Sequence, residues 1–267
     1  MSYFDALETR SQDEREAAQL AALNAQLDAP LTSLAELSRL PVLRKSDLTA
    51  RQKGNPPFGG LTVRNVAQVF QSPGPIYEPG GNGHDWWRLA RFLHATGIGR
   101  GDIVQNCFSY HLVPAGMMFD NAARAVGATV VPAGTGQTEL EVRAARDIGT
   151  TAYAGTPDFL KVILDKADEM GEALSIRRAV VGGGALFPSL RQHYTDRGIT
   201  CRQCYATADL GNIAYESDAL EGMILDEGVI VEIVRPGTGD PVPHGEVGEV
   251  VVTALNPDYP LLRFADR

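Results

Sequence analysis

The chain has 267 residues, 44% of them hydrophobic and 21% charged, which is ordinary for a globular protein and excludes wholesale disorder. Its 24 Lys and Arg against 33 Asp and Glu give a formal net charge of −9, which argues against nucleic acid or an anionic membrane as partner, since both select a positive field. It does not argue against a nucleotide, which local backbone N–H groups can hold.

No stretch reaches the ~18 uncharged apolar residues of a membrane span. The start, Met1 to Arg15, lacks the basic and apolar segments of a secretory signal. The three cysteines, Cys107, Cys201 and Cys204, fit a reducing compartment better than a disulfide framework, so a cytoplasmic protein is expected.

The first forty residues read as helical. Ser11 to Glu14 forms a capping box, and Leu20, Leu23 and Leu27 fall on one face. A short helix is expected from Ser33 to Leu40, stopped by Pro41. Residues 53–60 read as a loop, Val63–Phe70 as a strand, and Ser72 to Pro75 as irregular. A helix is expected over Asp85–Ala95, carrying Trp86, Leu89 and Leu93 inward.

The middle alternates. Apolar runs at Asp102–Phe108, Ala128–Ala133, Thr150–Ala154, Arg178–Val181 and Thr200–Tyr205 are separated by helical stretches. These stretches lie at Ala115–Val126, Glu139–Ile148, Pro157–Glu169 and Pro188–Arg197. Thr138 to Glu141 reads as a second capping box, Pro157 as a first helical residue, and Gly127, Gly149, Gly171 and Gly198 as helix ends. Such alternation predicts right-handed βαβ units and a parallel sheet. After Tyr205 the helices stop. Asn212–Glu216, Gly228–Val234 and Val247–Ala254 read as strands, with a turn at Pro236 to Pro241. The expected organisation is therefore α/β: a helical segment 1–60, a parallel βαβ core 61–211, and a β-rich part 212–267.

In an open α/β sheet, ligands bind beyond the carboxyl ends of the strands. That rule selects Phe108 to His111, Gly134 to Gly136, Gly182 to Ala185 and Tyr205 to Asp209. Glycines at 182–184 let a ring or phosphate approach the backbone, or simply make a tight strand–helix turn. Asp209 offers a hard oxygen to a metal, or caps a helix or lies on the surface. His111 lines a pocket or is structural. Cys201 and Cys204 form a C-x-x-C with no second pair and fall in a strand, so they read as buried structural residues. No Ser–His–Asp set or G-x-S-x-G motif is present.

Together these segments resemble the phenylacetate–CoA ligases of the AMP-forming acyl-adenylate superfamily. The resemblance is carried by Tyr3 to Asp5 with Glu8 to Ser11; by Leu40 to Leu48; by Val126 to Pro132 with Gly134 and Gly136; by Tyr205 to Asp209; by Gly245 to Thr253; and by Pro260 to Phe264. It spans the family's large N-terminal domain and implies an acyl-adenylate-forming fold that makes an acyl-AMP from a carboxylate and ATP, then a thioester with CoA. It further implies Mg²⁺, small-molecule partners and, by analogy, a homodimer. On this resemblance Gly183, Gly184 and Ala185 border the adenine, and Tyr205 with Ala206 flanks it. Asp209 stands for the metal-binding acid, with Thr207 beside it. Phe108, Tyr110, His111, Gly134 and Gly136 shape the acyl pocket, for which Phe108 and Tyr110 are compatible with an aromatic acid.

The sequence also departs from the family. Its phosphate loop corresponds to Gln71–Pro79, which keeps Ser72, Gly74 and Pro79 but brings in extra prolines, with Glu78 near the expected lysine. Ala206 and Ala208 replace a glycine and a hydroxyl residue. Asp209 is one methylene short. Asp266 imitates the ribose-binding aspartate out of register, and the small domain with its catalytic lysine lies outside these residues. An impaired ligase is expected, with a noncatalytic nucleotide- or acyl-binding homologue as the alternative and a dinucleotide or nucleotide-sugar enzyme as a third.

Overall fold

A computed structural model describes residues 3–266. They fall into two compact units, one formed by residues up to Asn82 together with those from Leu225, the other by Gly83–Ile224. The unit boundaries thus lie after 82 and after 224, where the sequence suggested 60 and 211.

The first unit opens on α1 (Gln12–Asn24), whose capping box is complete: Ser11 accepts from the Glu14 N–H, and Glu14 reaches back to the Ser11 N–H at 2.8 Å. Leu23 is its buried residue. Residues Leu34–Arg39 form a 3-10 helix. β1 (Leu43–Arg44) then leads into α2 (Lys45–Gly54), so the expected loop at 53–60 begins inside a helix. α2 is polar nearly all round. It docks by two residues one turn apart, Leu48 and Gln52, and the Gln52 amide bonds both the N–H and the C=O of Tyr77 at 2.9 Å. β2 (Val66–Ser72) and β3 (Ile76–Gly81) pair antiparallel, with Gln71 opposite Tyr77 and Ser72 opposite Ile76. The stretch expected to be irregular around Ser72 is therefore a hairpin, turned by Pro73, Gly74 and Pro75.

In the second unit the expected helix over Asp85–Ala95 shrinks to α3 (Ala90–Ala95). Asp85 and Arg88 both have φ of 60°, left-handed values that interrupt a right-handed helix. The tryptophans lie in that irregular stretch, with Trp87 buried and Trp86 half-buried. Regular alternation follows: β4 (Ile103–Asn106), α4 (Ala115–Ala125), β5 (Thr129–Val131), α5 (Thr138–Ile148), β6 (Ala152–Gly155), α6 (Pro157–Met170), β7 (Arg178–Val181), α7 (Pro188–Asp196) and β8 (Thr200–Thr207). Pro157 and Pro188 open their helices, and Gly149 and Gly171 close theirs in the left-handed region. Thr138 is itself helical, the N-cap falls on Gln137, and no side-chain cap is made, so the second expected capping box does not form.

β9 (Gly211–Tyr215) returns antiparallel to β8, and β10 (Ile224–Leu225) is the edge strand. The sheet order is β10-β9-β8-β7-β6-β4-β5, with β5 through β8 mutually parallel around β4. β9 thus extends the parallel sheet instead of opening a separate annex. Tyr153, Leu160, Ile163, Val181, Tyr194 and Cys201 fill the core on one face.

The chain then returns to the first unit with β11 (Val229–Val234), β12 (Glu249–Ala254) and β13 (Phe264–Ala265). These make a four-stranded sheet ordered β1-β13-β12-β11, in which β1 and β13 run parallel. Arg263 anchors it. Its side chain is 2% exposed, pairs with Glu232 at 3.0 Å and donates to the carbonyls of Ser38, Leu40 and Gly239. No helix among the described residues is long and apolar enough to cross a membrane.

Candidate adenylate site

The chain runs from β4 outward to β5 and then crosses back to β6, β7 and β8 on the other side of β4. The direction of winding therefore reverses between β4 and β6, and in open α/β sheets the crevice beyond such a reversal is where ligands bind. The segments selected from sequence all leave the carboxyl ends of these strands: Phe108–His111 after β4, Gly134–Gly136 after β5, Gly182–Ala185 after β7 and Thr207–Asp209 at the end of β8.

Asn106, fully buried at the end of β4, ties two of these pieces to each other and to the start of α4. Its Nδ2 donates to the Tyr110 hydroxyl at 2.7 Å and to the Gly116 carbonyl at 2.8 Å. Its Oδ1 accepts from the Phe108 N–H at 3.2 Å, and its main-chain carbonyl accepts from the Gly134 N–H at 2.9 Å. Tyr110 packs flush on the start of α4, since a Cβ at Gly116 would stand 2.7 Å from its ring. Burial, with the nearby Asp120 carboxylate, raises the Tyr110 hydroxyl above the ordinary phenol range. Phe108 is buried and stacks on Phe119, with ring centroids 4.3 Å apart. His111 is exposed.

Gly183 has φ of +70°, and Gly183, Gly184 and Ala185 are exposed along the turn. A methyl on Gly183 would meet Thr156 and Phe108 at 3.9 and 4.0 Å, and one on Gly184 would meet Pro157 at 3.4 Å. The turn is thus a bare backbone ledge with its N–H groups and carbonyls uncovered by side chains, suited to a flat ring. Its far end is fixed by a network that sequence reasoning missed. Gln203 Oε1 accepts from the Leu186 N–H at 3.3 Å. Glu216 holds the Gln203 amide at 2.9 Å and its N–H at 3.0 Å, and pairs with Arg191 at 2.6 Å.

Tyr205, Ala206 and Thr207 are half-buried, and Asp209 is buried in the turn between β8 and β9. Thr207 Oγ1 accepts from the Leu210 N–H at 3.1 Å, which closes that turn. The hairpin is gripped from outside by the stretch before α3. Arg88 donates to the carbonyls of Leu210 and Asn212, and the Asn212 N–H donates to the Trp87 carbonyl at 2.8 Å. Gly211 makes the grip feasible, because a Cβ there would stand 2.6 Å from that Trp87 oxygen. No spacing rule points to Arg88, Asn106, Gln203 or Glu216. They leave no local trace in the sequence: Asn106 follows Gln105, Gln203 follows Arg202, and Glu216 precedes Ser217 and Asp218.

Among the described residues no group of three or more His, Cys, Asp or Glu is placed to hold a metal. Asp209 supplies one carboxylate, and Mg²⁺ typically takes one or two together with phosphates and water. A single carboxylate has the chemistry such an ion takes but makes no cation site by itself.

Ser72, Gly74 and Asp266 belong to the other unit. Ser72 is buried at the end of β2, and Gly74 is exposed in the hairpin turn. Asp266 pairs with Lys45 at 2.9 Å. Pro73, Pro75 and Pro79 have no N–H to offer, and the flanking residues pair with one another.

The sequence profile described as AMP-binding enzyme matches residues 109–256. Phenylacetate-coenzyme A ligase of Aromatoleum evansii is 29% identical over 255 residues, covering 89% of this chain and 57% of that protein. The enzyme of the same name from Thermus thermophilus is 29% identical over 249 residues, covering 86% and 55%. The chain thus spans a little over half the length of these curated relatives. Among solved structures, a 2-hydroxyisobutyryl-CoA ligase in the postadenylation state with 2-HIB-AMP superposes with a TM-score of 0.85 at 22% identity, over 96% of this chain and 63% of that one. Its open form with 2-HIB-AMP and CoA gives 0.80 at 21%, over 94% and 59%. At these identities the likeness establishes the fold.

Proposed function

This chain belongs to the AMP-binding enzyme family, and on that premise we propose that it is the adenylate-binding part of an AMP-forming acyl-CoA ligase. The observation that carries the reading is the convergence of Phe108–His111, Gly134–Gly136, Gly182–Ala185 and Thr207–Asp209 on one edge of the sheet, at the reversal between β4 and β6. The reaction proceeds in two displacements. The substrate carboxylate attacks the α-phosphorus of ATP and pyrophosphate leaves; the CoA thiol then attacks the acyl carbon and AMP leaves. No protein nucleophile is needed, which agrees with the lack of a catalytic triad in the sequence. The protein's work is orientation and charge stabilisation.

In this proposal Gly183, Gly184 and Ala185 carry the adenine, with Tyr205 and Ala206 beside it. Thr207 and Asp209 face the phosphate, Asp209 holding Mg²⁺, which supplies charge neutralisation there. Tyr110, His111, Gly134 and Gly136 border the acyl group. The relatives are named for phenylacetate and for 2-hydroxyisobutyrate, so the substrate is a small organic acid. The protein needs no membrane or nucleic acid and acts in the cytoplasm, with a homodimer as the family analogy.

The hairpin favours an impaired form. Ser72 and Gly74 remain, but prolines have removed donors that a triphosphate needs, so ATP is held weakly and a preformed acyl-adenylate well. The test is calorimetric titration of this chain with ATP and Mg²⁺, and separately with a nonhydrolysable acyl-sulfamoyl adenosine. Tight binding of the mimic and weak binding of ATP is expected. Loss of mimic affinity in Asp209→Ala and in a variant filling the ledge, Gly183→Val, would tie binding to this edge. Absence of binding by any adenosine ligand would leave only the family's fold and sink the functional reading.

A further inference from the structure

The end of the crevice between β4 and β7 is filled by side chains of this chain. Phe108 leaves β4 and stacks on Phe119 from α4, with an interplanar angle of 21° and exposures of 7% and 3%. The pair packs directly beneath the glycine turn. A methyl on Gly183 would already be in van der Waals contact with Phe108 Cε1 at 4.0 Å and with Thr156 at 3.9 Å. A methyl on Gly182 would meet Phe119 Cζ at 3.9 Å and Cys204 Sγ at 3.1 Å. Met118, Ala122 and Ala123 of α4 are buried as well. On the opposite side the Tyr110 ring lies against Gly116, where even a Cβ would find 2.7 Å. Interiors packed to this density do not open for a long or flat group without displacing a ring.

Resting on the proposed ligase reading, we propose that the Phe108–Phe119 stack is the closed floor of the acyl pocket and confines the substrate to compact carboxylic acids of about the bulk of acetate to isobutyrate. Phe108 thereby acts as a stop, not as the open aromatic wall that an arylacetic acid would lie along. Phe119 sets the depth indirectly, because it fixes the Phe108 ring. A mismatch of one methylene in an apolar pocket changes discrimination by roughly tenfold or more, and phenylacetate is larger than isobutyrate by more than a methylene.

The experiment is calorimetric titration of the chain with five sulfamoyl adenosines: acyl-free, acetyl, isobutyryl, phenylacetyl and octanoyl. The expected order places acetyl and isobutyryl at least tenfold tighter than phenylacetyl and octanoyl. In Phe119→Leu, and more strongly in Phe119→Ala, the phenylacetyl compound should gain at least tenfold relative to acetyl, each affinity being taken relative to the acyl-free compound in the same variant. The wild-type order needs no variant, so an unstable Phe119→Ala protein does not stop the test. Phenylacetyl or octanoyl binding as tightly as acetyl in the wild type overturns the inference while leaving the ligase reading intact. Failure of all five, the acyl-free compound included, overturns the ligase reading and this inference with it.

Discussion

Glu141 places a carboxyl on the buried side of α5, where 5% of the residue is exposed. The Cys107 thiol donates to its Oε2 at 3.5 Å, and the Gln105 amide reaches its main-chain carbonyl at 3.4 Å. Burial disfavours the ionised form and raises the Glu141 pKa. The thiol and the hydrogen bond tied to Gln137 oppose that shift only partly. The folded protein therefore holds a proton that the unfolded chain has already released across the window from the ordinary carboxylate range up to the folded value. In that window the unfolded state binds fewer protons, so stability falls as pH rises and levels off once the folded pKa is passed. Glu141→Gln keeps an acceptor for the thiol and removes the ionisation. Urea denaturation at intervals from pH 4 to 8 should show the variant gaining on the wild type as pH increases. A constant difference between the two across that range would mean that Glu141 titrates as an ordinary carboxyl.

At the scale of elements, Arg263 decides how the first unit closes. One guanidinium satisfies Glu232 and the carbonyls of Ser38, Leu40 and Gly239, joining the end of the 3-10 helix to the β11–β12 sheet. Removing one partner of a buried pair costs about 3–5 kcal/mol, because the other charge is left uncompensated. Exposed helical pairs such as Arg143 with Glu139 are worth about 0.3–0.5 kcal/mol. Arg263→Ala should therefore lower the denaturation midpoint far more than Arg143→Ala, and equal shifts would refute the anchor.

The contrast also shows what a sequence reveals. The βαβ alternation was legible because β4 to β8 are apolar runs whose intervening helices open on proline or close on glycine, signals that each act within a few residues. α2 was not legible, since its buried face is only Leu48 and Gln52, and Gln52 earns its burial from the distant Tyr77. Nor was the interruption at Asp85 and Arg88, where tertiary bonds to Leu210 and Asn212 hold a conformation that local propensity opposes. The site shows the same division. The glycine turn and the hydroxyl–acid hairpin follow from strand ends. Asn106, Gln203 and Arg88, which fix those loops, draw on partners as far as 124 residues away and have no local signature.

Across the whole molecule, the optical and chemical probes are unevenly distributed. Trp86, Trp87, Cys107, Cys201 and Cys204 are the only tryptophans and cysteines of the chain, and all lie in the unit spanning Gly83–Ile224. The three thiols are buried and free. Desolvation pushes Cys201 and Cys204 up to about 12 and Cys107 higher still, the last also through the Glu141 carboxylate beside it. Only the thiolate attacks an alkylating reagent, so at pH 8 the folded unit presents almost none. Labelling by iodoacetamide should be negligible in native buffer and should rise with denaturant along the same curve as tryptophan fluorescence, because both report the opening of one compact unit. The C-x-x-C pair provides the sharper half of the test. If Cys201 and Cys204 were a redox or metal-binding pair, they would label or oxidise to a disulfide well before the fluorescence transition. Buried on opposite faces of β8, they should become reactive only with it, and Cys107, which shares a core with Cys201, should follow at the same denaturant concentration.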